Sequence, residues 1–331
     1  MKQFDQDTWD AYREKELPAL IPLLASEGVS IADEPLLRGV YAVPEKPALT
    51  LLGTRTEDGK RVVVHVTSDP DTAKDLEGTH RRRECIERYE CLPSSIHLPE
   101  ELAFGRRDMH TFMVTEFLYE DRSFSELSLE EGFFFALRVL EAQEQAPALS
   151  YRATRDAHKL LDTFSAQRYV NTVQQYRRSV TKLLPEHTQA QEVLALAGAA
   201  LLRERERIDR YSGALLYHRA SPETVRVSGG EMYLLDPALF RFGNRYESWA
   251  HFVDHAALHQ PELESALTTY IRENRGEEVS ETLRLMRLYT LAEVIHRDAR
   301  ARQRVATEKA VELDTRIDFW TAVLQTQLTA G

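Results

Sequence analysis

The densest set of chemically capable residues lies between Ala214 and Gly243, in the stretch ALLYHRASPETVRVSGGEMYLLDPALFRFG. An apolar approach, Leu215-Leu216-Tyr217, delivers His218 and Arg219 to a short loop with Ser221, Pro222 and Glu223. Two strand-like runs follow, Thr224 to Val227 and Glu231 to Leu235, joined at Gly229-Gly230, and Asp236 closes the second. Ser221 near His218 suggests a nucleophile and its base, but no Gly-x-Ser-x-Gly elbow surrounds it, and a serine hydroxyl without an activating partner is a poor base. A second cluster, His251 and His255 with Asp254 between them, has the four-residue spacing that puts two imidazoles on one helix face, as a zinc site does. No glutamate follows His251 and no third ligand is evident, so the spacing alone is weak evidence for metal.

The first stretch resembles the kinase-like fold, and within it the aminoglycoside and choline phosphotransferase branch. There the catalytic loop reads His-Gly-Asp followed by Pro-Gly-Asn, and the next strand ends in an apolar pair plus Asp. Phosphoryl transfer asks for an Asp to take the hydroxyl proton, an Asn and an Asp to hold magnesium, and a Lys on the phosphates. On this pattern His218-Arg219-Ala220 stands for His-x-Asp, Pro222-Glu223-Thr224 for Pro-Gly-Asn, and Leu234-Leu235-Asp236 keeps the metal-binding Asp. The loop is one residue short, and Ala220 cannot accept a proton. Downstream, Gly243-Asn244-Arg245-Tyr246-Glu247-Ser248-Trp249-Ala250 stands for Gly-Asp-Pro-x-x-Asp-Leu-Ala, with Asn244 and Ser248 at the two acidic positions.

The resemblance implies a sheet lobe upstream, and the expected elements are present. Leu36 to Val43 and Ala48 to Thr54 read as strands about the turn Pro44-Glu45-Lys46-Pro47, which has no glycine to lie close over phosphates. Arg61 to Val66 reads as a buried third strand, with His65 where the resemblance expects the Lys. Neutral imidazole is a weaker phosphate partner than ammonium; Lys60 or Arg61 is the available substitute. A polar helix over Asp71 to Glu90 offers Glu84 or Glu87 as the carboxylate that pairs with that Lys, although Arg81-Arg82-Arg83 equally suits a solvated face. Leu102 to Gly105 and Thr111 to Leu118 read as two strands and a hinge similar to the family's adenine-binding linker, and the resemblance implies adenine against the backbone around Glu116 and Leu118.

Beyond the hinge the apolar period changes from two to 3.6. Ser128 and Glu131 form a capping box for a helix ended by Pro147, and further helices are expected over Thr154 to Leu184 and Ala190 to Tyr211. Four more are expected over Ser248 to His259, Pro261 to Asn274, Val279 to Ala301 and Val305 to Leu328. With the resemblance, the expected fold class is α+β, a two-lobed protein-kinase-like fold. Residues 1–118 form the antiparallel sheet lobe, preceded by a helix, and residues 119–331 form the helical lobe carrying the loop. The 331 residues, 43% of them hydrophobic, suffice for two packed lobes. No run of about eighteen apolar residues exists, and MKQFDQDTWD is too polar for a signal peptide, so a cytoplasmic protein without a membrane partner is expected. A net charge of −11 disfavours nucleic acid, and Cys85 and Cys91 read as ordinary thiols.

Losing the Gly-rich turn, the strand Lys, the base and the Asn together weighs against catalysis. The expected function is a catalytically impaired, pseudokinase-like protein that binds an unidentified protein partner or small molecule, with ATP and Mg2+ as the nucleotide and metal it could retain. The alternative is an active, non-standard transferase of phosphate or AMP. In it Asp236 holds magnesium and His218, Glu223 or Asp254 replaces the base. In a third reading the chain is a scaffold without nucleotide, where Asp236 merely caps the turn at Pro237.

Overall fold

The computed structural model describes residues 6–36, 46–145 and 149–330. Helix α1 (Gln6–Ser26) leads into β1 (Val29–Leu36), β2 (Leu49–Arg55) and β3 (Arg61–Thr67). Helix α2 (Pro70–Arg88) and the short β4 (Ile96–His97) precede β5 (Glu101–Arg107) and β6 (His110–Glu116). Five of these strands form one antiparallel sheet in the order β1-β2-β3-β6-β5. Alternation along β3 sends Val62, Val64 and Val66 to a core shared with Leu49, Leu51, Phe112 and Val114, which Leu20 and Leu24 of α1 cover. His65 therefore points to the opposite face. A 2.6 Å contact between His110 Nε2 and Glu16 pins α1 to the sheet.

The first described strand pairs with β2 over Val29–Leu36 and shares only Leu36 with the strand expected over Leu36 to Val43; residues 37–45, the rest of that expected strand and the start of the turn at Pro44, lie outside the described residues.

The helical lobe comprises α3 (Leu129–Glu144), α4 (Tyr151–Leu160), α5 (Ala166–Leu183), α6 (Thr188–Arg203), α7 (Arg205–Arg210), α8 (Glu247–His259), α9 (Pro261–Arg275), α10 (Glu277–Arg302) and α11 (Thr307–Thr329). Ser128 and Glu131 close the expected capping box at the start of α3. Pro147, expected to end it, is outside the described residues. The single helix expected over Thr154 to Leu184 is broken, because Asp162 to Phe164 leave the helix to pair with another strand: Phe164 N donates to Phe242 O at 2.7 Å, and Phe242 N to Asp162 O at 2.8 Å. Ala190 to Tyr211 is likewise two helices, α6 and α7, meeting at Glu204. Central α10 packs on α5, α8, α9 and α11, and its residues Leu285, Met286, Leu288, Tyr289, Leu291 and Ile295 are wholly buried.

Between the helices lie β7 (Ala214–Tyr217), β8 (Val225–Ser228), β9 (Glu231–Leu234) and β10 (Phe240–Gly243), the last unforeseen from sequence. β7 pairs with β10 and β8 with β9, and β4 of the sheet lobe adds to β9 in parallel. The β8–β9 turn needs Gly229 and Gly230, whose φ angles of 59° and 79° suit a two-residue hairpin loop. Asp121, just after the hinge, accepts both of their amides at 3.0 and 3.1 Å, and Arg226 pairs with Glu120. The hairpin is thus tied to the segment that joins the lobes. Among the described residues no helix is long and apolar enough to cross a membrane.

Candidate functional site

The loop between β7 and β8 is closed upon itself. Thr224 Oγ1 donates to Arg219 O at 2.7 Å and accepts Ser221 N at 3.0 Å, with Ser221 Oγ at 3.2 Å. A hydroxyl has one proton and two lone pairs, so this geometry consumes Thr224 in holding the loop. Ala220 has no exposed surface and Ser221 only 3%, so the position expected for a base is packed into the core.

His218 is anchored by Leu239 O, which accepts its backbone N at 3.1 Å and lies 2.5 Å from Nδ1. A carbonyl only accepts, so Nδ1 carries the proton. Burial, reinforced by the Arg241 and Arg219 guanidiniums, pushes the imidazole well below its usual range. It is a positioning group and a weak base. Arg219 turns under the loop to Glu293 of α10, Nη2 to Oε1 at 2.5 Å. Burial, the largest single effect, would lift the Glu293 carboxyl, but the positive surroundings of Arg219, His218, Arg241 and His251 together outweigh it and hold Glu293 well below the usual carboxylate range.

The strand end differs. Asp236 Oδ1 caps the turn Pro237–Leu239 by accepting Ala238 N at 2.8 Å, while Oδ2 has no hydrogen bond among the described residues. The buried Tyr217 hydroxyl sits between Thr224 O at 3.1 Å and Asp236 N at 3.3 Å, fixing the spacing of loop and strand end. In the sheet lobe, burial lowers His65, and the negative charge of Asp236 draws it part of the way back up. Thr50 Oγ1 lies 3.2 Å from His65 Nδ1.

The remaining expected residues are scattered more widely. Glu116 accepts Glu100 N at 2.7 Å, and half-buried Leu118 follows it in the hinge. Glu84 is exposed with its carboxylate 3.9 Å from His80, and Glu87 pairs with Arg83 at 2.7 Å; neither meets His65. Exposed Lys60 is 3.8 Å from Asp58, and Arg61 is exposed as well. Asp254 is buried against Arg287 Nε at 2.7 Å and Thr290 Oγ1 at 2.5 Å, and burial pushes its carboxyl up to about 6 despite Arg287. It has no path to a substrate. Among the described residues no three histidine, cysteine or acidic side chains are placed to share a metal ion. Asn244 and Ser248 serve the fold: Asn244 donates to Ile208 O at 2.9 Å, and Ser248 Oγ to Tyr217 O at 2.9 Å.

Several buried charges escaped the sequence reading, Glu293, Arg241 and Glu247 among them. Glu293 stabilises Arg219. Arg241 pairs with Glu247 and lies 3.7 Å over the Phe164 ring, and Glu247 also accepts the Tyr169 hydroxyl at 2.7 Å. A side chain at Gly243 would come within 2.6 Å of that hydroxyl, so glycine is needed there. The available signal was a charge flanked by apolar residues, as in Phe240-Arg241-Phe242 and Ala292-Glu293-Val294.

A small antiparallel sheet lobe, a larger helical lobe and a loop and strand end at their junction define a kinase-like fold. Within that class the chain has the architecture of antibiotic phosphotransferases. It aligns with a thermostable mutant of the aminoglycoside phosphotransferase APH(4)-Ia with a TM-score of 0.64 and 13% identity, over 93% of this chain and 98% of that one. The spectinomycin phosphotransferase APH(9)-Ia, solved with ADP and spectinomycin, gives 0.59 and 11%, over 94% and 98%. A type I macrolide 2'-phosphotransferase gives 0.55 and 12%, over 99% of each chain. No protein-family model matches the chain, and no curated protein does.

Proposed function

We propose that this chain is a nucleotide-dependent transferase acting on a small molecule, a non-standard relative in chemistry of the phosphotransferases it resembles in shape. Residues 1–118 cover the nucleotide and residues 119–331 carry the reacting groups. The observation that carries this reading is Asp236 at the strand end, which spends one carboxylate oxygen on its turn and has no hydrogen bond on the other among the described residues. Magnesium is commonly held by one or two carboxylates together with substrate phosphates and water, so a single Asp236 suffices as the protein ligand. Bound there, the ion would neutralise phosphate charge. The hinge at Glu116 to Leu118 would hold the base, and His65 would serve the phosphates as a hydrogen-bonding group in place of an ammonium.

With Ala220 at the base position, rate enhancement rests on positioning and electrostatics. Glu223, exposed on the loop, is the one carboxylate there able to meet an acceptor's proton. A specific observation favours a second reading, a catalytically impaired pseudokinase with a binding or regulatory role: Thr224 is used up by the loop and so cannot take a metal.

The test is thermal unfolding with ATP and magnesium against ATP with chelator, followed by ATP consumption over a panel of hydroxylated small molecules. A metal-dependent shift with acceptor-dependent turnover is expected. A shift without turnover establishes the second reading. No shift reduces the chain to a scaffold in which Asp236 only caps its turn.

A further inference from the structure

A cavity of about 280 Å³ lies among α3, α4, β7 and β10. None of His65, His218, Arg219, Thr224 and Asp236 lines it, so it is separate from the site described above. Buried Leu140, Leu216 and Phe242 and half-buried Leu215 form its apolar wall. His158 already stacks on Phe242 at 4.1 Å, so the remaining apolar surface is mostly leucine. Small-molecule sites usually span about 300–1,000 Å³, and a volume just below that range suits a compound of about a dozen heavy atoms.

Strand alternation leaves one edge of β7 open at this cavity. His218 N donates to Leu239 O, which puts Leu216 and Ala214 in hydrogen-bonded register with β10 and turns the amides and carbonyls of Leu215 and Tyr217 outward. Tyr217 is satisfied: its N donates to Gln143 Oε1 at 3.2 Å and its O accepts Ser248 Oγ at 2.9 Å. Leu215 has no such partner for either group among the described residues. A strand donor and acceptor left open at a cavity wall pair with whatever enters it, solvent or ligand. Arg245, exposed at the same cavity, has no ion pair and no side-chain hydrogen bond among the described residues. The acidic group on the lining, Glu144, is matched by Arg275 and by the Trp249 indole, each at 2.9 Å.

We propose that this cavity is a second ligand site, for an N-acylated aliphatic amino acid. The carboxylate of the ligand meets Arg245, and its amide pairs with the Leu215 N–H and C=O as an added strand residue would. Its side chain lies among Leu140, Leu216 and Phe242. A peptide ending in an aliphatic residue carries the same three groups. Nothing in this depends on the transferase reading.

The experiment titrates the full chain with N-acetylleucine and follows the leucine methyl signals by NMR. Saturable shifts are expected at Leu215 and Leu216. N-acetylleucinamide, which lacks the carboxylate, and isocaproate, which lacks the amide, should each bind about tenfold more weakly. Arg245→Gln, at an exposed residue with no partner to strand, should remove the preference for N-acetylleucine over its amide. Thr154→Phe, which fills the cavity from α4, should abolish binding. Acetyl-glycyl-glycyl-leucine separates the two sources: tighter binding than N-acetylleucine assigns the site to a peptide C-terminus, and weaker binding assigns it to a free N-acyl amino acid. Absence of saturable shifts, equal binding of either truncated compound, an unchanged preference in Arg245→Gln, or displacement by ATP with magnesium overturns the inference.

Discussion

The loop at residues 218–224 and the strand end at Asp236 lie one hairpin apart, yet they treat their polar groups in opposite ways. In the loop nearly every polar atom is spent internally: Thr224 on Arg219 and Ser221, His218 on Leu239, Arg219 on Glu293. At the strand end, Asp236 spends one oxygen on its turn and leaves the other without a hydrogen bond among the described residues. A buried polar group that finds partners in the protein contributes to the fold, while one left at a cleft mouth is available to a ligand. Substitutions in and beneath the loop should therefore change stability and spare binding, and substitutions at the strand end should do the reverse.

The largest effect is expected below the loop. Glu247→Leu strands Arg241 in the core, both partners being buried, and should cost about 3–5 kcal/mol in urea unfolding. A loss under about 1 kcal/mol would mean that water already reaches the pair and that this side is less closed than described.

Next in size is a dependence on pH. His251 and His255 are pushed down to about 3 by burial, whereas the unfolded chain protonates them near ~6.5. Their contribution is thus fully present above ~6.5 and is lost as pH falls toward ~3, because the unfolded state takes up the protons first. Stability should fall by a few kcal/mol over this window, and His251→Leu should flatten the curve. An unchanged slope in the variant would place the acid sensitivity elsewhere.

Thr224→Val should cost about 1–3 kcal/mol by leaving the Ser221 amide and Arg219 carbonyl unmet, with no change in the nucleotide-induced shift. If the shift weakened instead, Thr224 would belong with the ligand groups and the contrast would blur. The smallest effect is expected at exposed Asp121, where alanine removes the acceptor of two hairpin amides; about 1 kcal/mol should be lost, detected as faster hydrogen exchange at Gly229 and Gly230.

Local features of this architecture were legible in the chain. The alternation of β3, the Ser128–Glu131 box, the Gly229-Gly230 turn and Asp236 after an apolar pair each depend on neighbours within a few residues. What stayed hidden depends on partners distant in sequence. Asp162 to Phe164 interrupt a helical pattern because Phe242 lies alongside. Arg219 meets Glu293 across 74 positions, and Arg241 and Tyr169 converge on Glu247. That Ala220 cannot accept a proton was readable, but the commitment of Thr224 to its own loop was not. It lies in a backbone fold that turns the hydroxyl onto its own loop.

The central claim is that Asp236 is the surviving ligand group, and thermal unfolding of Asp236→Ala beside the unaltered chain tests it most directly. With ATP at about a hundredfold over its dissociation constant, magnesium should stabilise the unaltered chain by roughly 2.7 kcal/mol more than ATP with chelator does. In Asp236→Ala that increment should vanish, while the ligand-free stability falls by no more than about 1 kcal/mol for the lost cap. An equal magnesium-dependent increment in both proteins, or none in either, would contradict the account.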